Sequence, residues 1–271
     1  MAYIPLIARV NSLPPLPESV LQLEQLFAQG DPEIDKLVQI ITLDPSLTAD
    51  ILSKVNAPYY GFTKNIVSIL QAVTLFGAVQ IRSIVLSSSI QRSFDVDLTP
   101  YGITTSEFSK ISTMQSELIF QWYMAINIDI ARVVTPIAFL METGKILIAK
   151  DILQEHKEDE FLNDIKKYGD VSFAENKYTT MNTSQINALI FKHLNLNDIF
   201  WETMQYLDSE QDVPENFKDI VLALQIVKTA VNTQHQLSDA SIENAVSLIN
   251  ANGMKVDSFK RAVKRVKNRY V

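Results

Sequence analysis

Three histidines, His156, His193 and His235, are the only imidazoles in a chain of 271 residues. A metal-binding or acid–base pair on a helix needs two donors three or four residues apart, so that both project from one face. These three lie far from one another and no two share a face. They read as surface or helix-end residues, where a protonated imidazole also suits the negative end of the helix dipole. Cysteine is absent, which removes thiol nucleophiles, disulfides and cysteine–zinc sites and fits a reducing compartment. No His-Glu-x-x-His, Gly-x-Ser-x-Gly or phosphate-loop pattern occurs.

The aromatic and basic residues offer binding rather than catalysis. Trp122 and Tyr123 in IFQWYMAI, and Phe200 and Trp201 in DIFWETM, sit among apolar residues at helical spacing and read as core. APYYGF differs, because Tyr59, Tyr60 and Phe62 fall in an expected loop beside Pro58 and Gly61. They lid the core in the simpler reading and form a binding surface in the other. The segment Lys255–Val271 holds seven Lys/Arg against the single Asp257, a net +6 in a chain of net −7, so the remainder carries −13. Phe259, Ala262, Val263, Val266 and Tyr270 form one apolar stripe there, with Lys260, Arg261, Lys264, Arg265 and Lys267 around the other face. A capping helix docked by that stripe is the favoured reading. The alternative is an electrostatic foot for an acidic partner, nucleic acid or an anionic membrane surface. The acidity of the remainder disfavours nucleic acid.

Helices must position all of these. Apolar residues make up 47% of the chain, charged residues 20%, and glycines number only seven, so a glycine-rich, sheet-based fold is disfavoured. Pro17 opens a helix that Gly30 stops, and Ile34, Leu37, Val38 and Ile41 follow at helical spacing. Asp44 and Pro45 supply an N-cap and first position, and Asn56 ends that helix. Ile66, Ile69, Leu70 and Val73 mark the next, stopped by Gly77, and Val79 to Phe94 another. DVDLTPYGITTSEF reads as a polar connection. A second helical half begins at SKISTMQSELIFQWYMAIN and continues through ARVVTPIAFLMETGKILIAKDILQEH, EDEFLNDIKKYG, TSQINALIFKHLN and NDIFWETMQYLD. Three last helices start near Pro214, Ser238 and Val256. No alternating run argues for a strand, so the fold class is all-α. The N-terminus has no signal-peptide pattern. The longest apolar stretch, IARVVTPIAFLM, contains Arg132 and Pro136 and falls short of the roughly 20 residues that span a bilayer. The expectation is a cytoplasmic protein without membrane insertion.

Three motifs in order carry a family resemblance. LPPLPESV, then ITLDPSLTADILSKVNAPYYG, then SILQAVTLFGAVQIRSIVLS supply Leu13, Pro14, Leu16, Pro17, Asp44, Pro45, Leu47, Ile51, Leu52, Asn56, Tyr59, Ile69, Ala72, Val73 and Gly77. The succession resembles the HD-related output domain (HDOD) of bacterial signalling proteins, with Ala57 where a serine is usual. The resemblance runs from residue 12 to residue 209. It implies kinship with HD phosphohydrolases, in which a helix carries Leu-Leu-His-Asp-Ile-Gly-Lys-Leu and the His-Asp pair binds a divalent metal. In FLMETGKILIAK the glycine, lysine and apolar flanks remain, but Met141 and Glu142 stand at the pair. The resemblance places the superfamily's first histidine at Ile111, a further one near Thr183, and the late ligands near Leu207 and Asp208.

A divalent ion needs several hard donors converging from different helices. Ile111, Met141 and Leu207 offer none, which leaves the two carboxylates Glu142 and Asp208; magnesium alone tolerates so few. The resemblance therefore implies a multi-helix HDOD/HD-like fold of two packed helical subdomains whose former active-site cleft has lost its metal. Residues 1–95 form the first, residues 96–209 the HD-like second, and residues 210–271 a helical extension ending in the basic helix. The expected role is a non-catalytic regulatory module without cofactor, binding an unidentified signalling protein in motility or second-messenger control. No oligomeric state follows from the sequence. With no receiver, sensor or cyclase domain read in the chain, the expectation is that input comes from a separate protein or that the module is constitutive. The rival readings are a residual metal-dependent nucleotide phosphohydrolase and a nucleic-acid binder using the basic helix.

Overall fold

The computed structural model describes residues 3–92, 94, 96–209 and 211–270. The expected subdomain limits at 95 and 210, and Val271 of the tail, fall outside that description. Helices α1 (Tyr3–Asn11), α2 (Glu18–Ala28), α3 (Ile34–Thr42), α4 (Pro45–Val55), α5 (Ile69–Phe76) and α6 (Ala78–Gln91) come first. Helices α7 (Thr105–Tyr123), α8 (Ile128–Leu140), α9 (Gly144–Gln154), α10 (Glu158–Tyr168), α11 (Val171–Thr179), α12 (Thr183–His193) and α13 (Asp198–Leu207) follow. The chain closes with α14 (Lys218–Ala230), α15 (Asp239–Ala251) and α16 (Val256–Tyr270). Among the described residues the β-structure is an isolated antiparallel bridge between Val231 and Gln236, so the all-α class holds.

Local chemistry explains the starts and stops. The Asp44 carboxylate accepts from the Leu47 N–H at 2.9 Å and Pro45 takes the first position of α4, where a missing donor costs nothing. Asn56 then closes the loop that follows. Its amide donates to the carbonyls of Leu52 and Ile66 and accepts from the Ile66 N–H, each at 2.8 Å. Ile66 is buried, but in this loop; the Ser68 hydroxyl caps the Gln71 N–H and starts α5 three residues later than its apolar spacing suggests. Gly77, at φ +79°, turns the chain by 118° between α5 and α6. No single described helix is long and apolar enough to cross a membrane; by length and composition only, this bent pair together would be.

Two helices escape the sequence reading. α1 has Pro5 inside its first turn, where proline is tolerated. α11, VSFAENKYT, is weakly amphipathic and rich in poor helix formers; Asp170 starts it by accepting from the Phe173 N–H at 2.9 Å. Part of the expected polar connection is also ordered. Thr104 and Glu107 form a reciprocal capping box, so α7 begins at Thr105, and Tyr101 in a short 3₁₀ turn is buried.

A continuous buried apolar cluster runs from Leu6 to Tyr270. α7 lies against α8, α14 and α16, while α6 crosses α8 and α4. α1 packs on α9 and α12 of the second half, where Arg9 pairs with Asp151. Trp122, Tyr123 and Phe200 are buried, and Trp201 is half-buried with its indole N–H on Asp198.

Candidate functional site

The segment Met141–Thr143 breaks the long helical run into α8 and α9, and the break faces inward. Asn187 of α12 fixes it, accepting from the Gly144 N–H at 2.7 Å and donating to the Met141 carbonyl at 2.6 Å. The approach is so close that a Cβ on Gly144 would sit 2.5 Å from the Thr183 carbonyl oxygen. Glycine is therefore a packing requirement at this position.

A buried charge cluster is built on that junction. The Lys145 ammonium lies 3.1 Å from Glu142, donates to Glu175 at 2.8 Å and to the Thr183 hydroxyl at 3.1 Å, and sits 5.0 Å from the centre of the Tyr101 ring. Glu175 also accepts from the Tyr101 hydroxyl, the Thr183 hydroxyl and the Thr183 N–H, at 3.0, 2.7 and 2.7 Å. Glu142 accepts from the Gln115 amide at 2.9 Å, and that amide also donates to the Val231 carbonyl. The second Glu142 oxygen faces Lys145 without hydrogen-bond alignment. At the end of α13, Asp208 accepts from Ser184 and from Lys228 of α14.

The electrostatics couple the two parts. Burial pushes the Glu142 carboxyl up, but Lys145, Lys228 and the Gln115 hydrogen bond hold it below its ordinary value. Burial likewise raises Asp208, and Lys228 and Ser184 outweigh it in the downward direction. Burial alone would depress both ammonium groups; Glu142 and Glu175 lift Lys145, and Asp208 and Glu142 lift Lys228, above the usual lysine range. Three carboxylates thus share two ammonium groups, Lys145 fully buried and Lys228 half-buried.

These residues do not fit a divalent ion. Ile111, Met141 and Leu207 are buried and apolar, and Thr183 commits its hydroxyl to Glu175 and Lys145. Among the described residues no three His, Asp or Glu side chains converge as ligands. A metal entering beside Lys145 would meet like charge in a low-dielectric site. Of the superfamily positions, Glu142 and Thr183 meet in the Lys145 cluster, Asp208 stands beside it with Lys228, and Ile111 lies one turn before Gln115 on α7. Beside the Asp208–Lys228 pair opens a groove of about 970 Å³ of mixed lining, with Gln225, Asn232 and His235 as well as Ile165, Leu207 and Leu248 on its walls.

The HDOD domain profile matches residues 13–209. The chain belongs to the HDOD domain family. A virulence factor of Campylobacter jejuni is 27% identical, with a TM-score of 0.58 over 100% of this chain and 94% of that one. A Shewanella amazonensis protein provisionally named a phosphohydrolase shares the fold at TM-score 0.70 and 16% identity, over 97% and 93% of the two chains. A Marinobacter aquaeolei protein provisionally named in signal transduction gives 0.69 and 18%, over 96% and 58%. An uncharacterised Treponema pallidum protein is 27% identical over 79 residues, which is 29% of this chain and 15% of that relative's length.

The two candidate interaction features of this HDOD protein meet in space. Tyr59 and Tyr60 are half-buried and Phe62 is exposed. Their rings join Phe76 in one cluster, with Tyr60 at 4.7 Å from Tyr59, 4.8 Å from Phe76 and 6.2 Å from Tyr270 of α16. The α16 stripe, Phe259, Ala262, Val263, Val266 and Tyr270, is buried, and Phe259 meets Trp122 edge-on at 5.1 Å. Lys260, Arg261, Lys264 and Arg265 stay exposed and Lys267 is half-exposed, paired with Asp239 at 3.2 Å. The basic helix is thus docked by its apolar face while its cations face solvent.

Sequence reasoning missed the groups that complete the charge cluster. Lys145 entered only as a motif match, although its i,i+3 spacing from Glu142 was readable. Tyr101, Gln115, Glu175, Asn187 and Lys228 are brought in by tertiary packing and carry no local signal.

Proposed function

We propose that this HDOD domain protein is a non-catalytic signalling module of the cytoplasm, acting through contact with another protein. The observation that carries the reading is the pair Lys145 and Lys228, whose ammonium groups balance the carboxylates where the superfamily would bring in a metal. A hydrolase of this class needs a cation that polarises phosphate and activates water, and a lysine bonded into a buried carboxylate cluster can do neither. Family membership, and the name given to the Marinobacter neighbour, support a signalling role. The sequence resemblance extends it to motility or second-messenger control.

One observation favours a second reading, a residual phosphohydrolase. The groove beside the charge cluster leaves Asp208, Lys228 and His235 accessible from one side. Elemental analysis of protein expressed with manganese, iron, nickel, zinc and magnesium separates the two, alongside hydrolysis of a bis-aryl phosphodiester. The non-catalytic reading expects less than about a tenth of an equivalent of any metal and no turnover. Near-stoichiometric metal, lost together with turnover in Glu142→Ala, would overturn it.

A further inference from the structure

The docked basic helix ends at a pocket, and the two together have the form of a recognition surface. The pocket, about 170 Å³, is lined by Tyr60, Phe62, Leu75, Phe76 and Phe120, with Arg269 on its rim. A cavity of about 150 Å³ holds a benzene-sized group, so this one has room for a single bulky apolar side chain. Glu117 and Gln121 of α7 form the polar edge of the same pocket. They are also the partners that hold the tail's arginines: Arg269 pairs with Glu117 at 3.2 Å and Arg265 donates to Gln121 at 2.9 Å.

Arg261, Arg265 and Arg269 recur every four residues, so they form one row along α16, with roughly 6 Å between neighbours. All three are exposed. Lys260 and Lys264 flank the row, are exposed, and have no ion-pair partner among the described residues. A charged row that leads into a pocket with aromatic walls and a polar mouth is the arrangement expected for an amphipathic segment with one anchor and a line of opposite charge. Leu75 and Leu70 extend exposed apolar surface along α5, and Val67 adds to it from the loop before that helix.

Resting on the interaction reading above, we propose that this surface binds an acidic segment of a partner protein. One aromatic or branched side chain of that segment enters the Tyr60–Phe62–Phe76 pocket, and its carboxylates lie along the Arg261–Arg265–Arg269 row. Charge complementarity selects this occupant. A flat anionic membrane has no side chain to place in the pocket. A nucleic acid would meet the −13 borne by the rest of the chain as repulsion.

The test selects peptides from a randomised twelve-residue display library on the immobilised full-length chain. Enriched peptides are then measured by fluorescence anisotropy at low and high salt. Enrichment of acidic peptides with one large apolar residue is expected. Arg261→Glu with Arg265→Glu weakens them at least about tenfold, and Phe62→Ser about fivefold, at unchanged melting temperature. Selection of peptides without acidic bias, or binding that survives both variants, overturns the proposal. So does tighter binding of phosphatidylserine vesicles or a DNA duplex through the same arginines, or salt-sensitive self-association of the chain through them. If the peptides fail while the protein carries neither metal nor turnover, this surface is refuted and the non-catalytic reading stands. If metal and turnover appear while the peptides bind, the reverse holds.

Discussion

Replacing Lys145 by methionine leaves an unbranched side chain one atom shorter, without the charge and the donors. In the native protein that ammonium serves Glu142 and Glu175 at once, both almost wholly buried. Breaking a buried ion pair from one side costs about 3–5 kcal/mol, because the abandoned charge keeps its desolvation penalty. Unfolding entropy of about 2.1 cal/mol/K per residue gives ~0.57 kcal/mol/K for a chain of this length, so the melting temperature should drop by about 5–9 °C at pH 7. The sign of the pH dependence follows from Glu142. In the native protein its carboxyl is held below its ordinary value, so its stabilisation is present above the ordinary carboxylate range and lost as pH falls through the lowered value. In Lys145→Met burial prevails, the folded value rises above the unfolded one, and the ionised form is destabilising at neutral pH. The penalty then shrinks as acid protonates the carboxyl, so the gap between variant and native protein should narrow between pH 7 and about pH 4.5. The triple variant Lys145→Met, Glu142→Gln, Glu175→Gln removes the stranded charges and should recover at least half of the loss at pH 7. Calorimetry across pH on the three proteins is the assay. A drop below about 2 °C, or a gap that does not change with pH, would refute the claim that this lysine is the buried counter-charge.

Two further changes probe the scaffold. Gly144→Ala forces a Cβ to within 2.5 Å of the Thr183 carbonyl, so α9 and α12 must separate; a loss of about 1–3 kcal/mol in urea denaturation is expected, and a neutral result would show the junction to be adaptable. Asn56→Ala strands the Ile66 N–H and the Ile66 carbonyl that now bond to the side chain, while the Leu52 carbonyl keeps the Asn56 N–H. It should cost about 1–3 kcal/mol and speed hydrogen exchange in residues 57–68 ahead of the rest, whereas uniform exchange would disconnect Asn56 from the aromatic loop.

The helical scaffold was legible because its signals are local. Asp44 with Pro45, and the apolar stripe of Phe259, Val263, Val266 and Tyr270, announce a helix start and a docking face from neighbours three or four residues away. The Thr104–Glu107 box was equally local, but the proline and glycine before it pointed to a loop. The charge cluster is of another kind. Tyr101 reaches Glu175 across 74 positions and Lys145 reaches it across 30, and α11, which carries Glu175, has almost no amphipathic signature to announce it. The same holds for Tyr60 and Tyr270, each assigned to a separate candidate surface and joined only by the packing of α16 on the Pro58–Tyr60 turn.

The half of the HD-like motif that this sequence retains is the half that packs. Gly144 admits the close approach of α12, and Lys145 supplies fixed charge to a site where carboxylates gather. The half it lacks is the half that would ligate, and Met141 there is buried among apolar neighbours. A metal held by exchangeable bonds makes a fold sensitive to metal supply, proton concentration and substrate. An ammonium on the chain itself removes the dependence on metal supply and substrate, since this counter-charge cannot dissociate. On this reasoning the interior of the protein is a fixed element, and any signal it carries must enter and leave at the surface. The aromatic pocket and the arginine row are where chemistry for such an exchange is exposed.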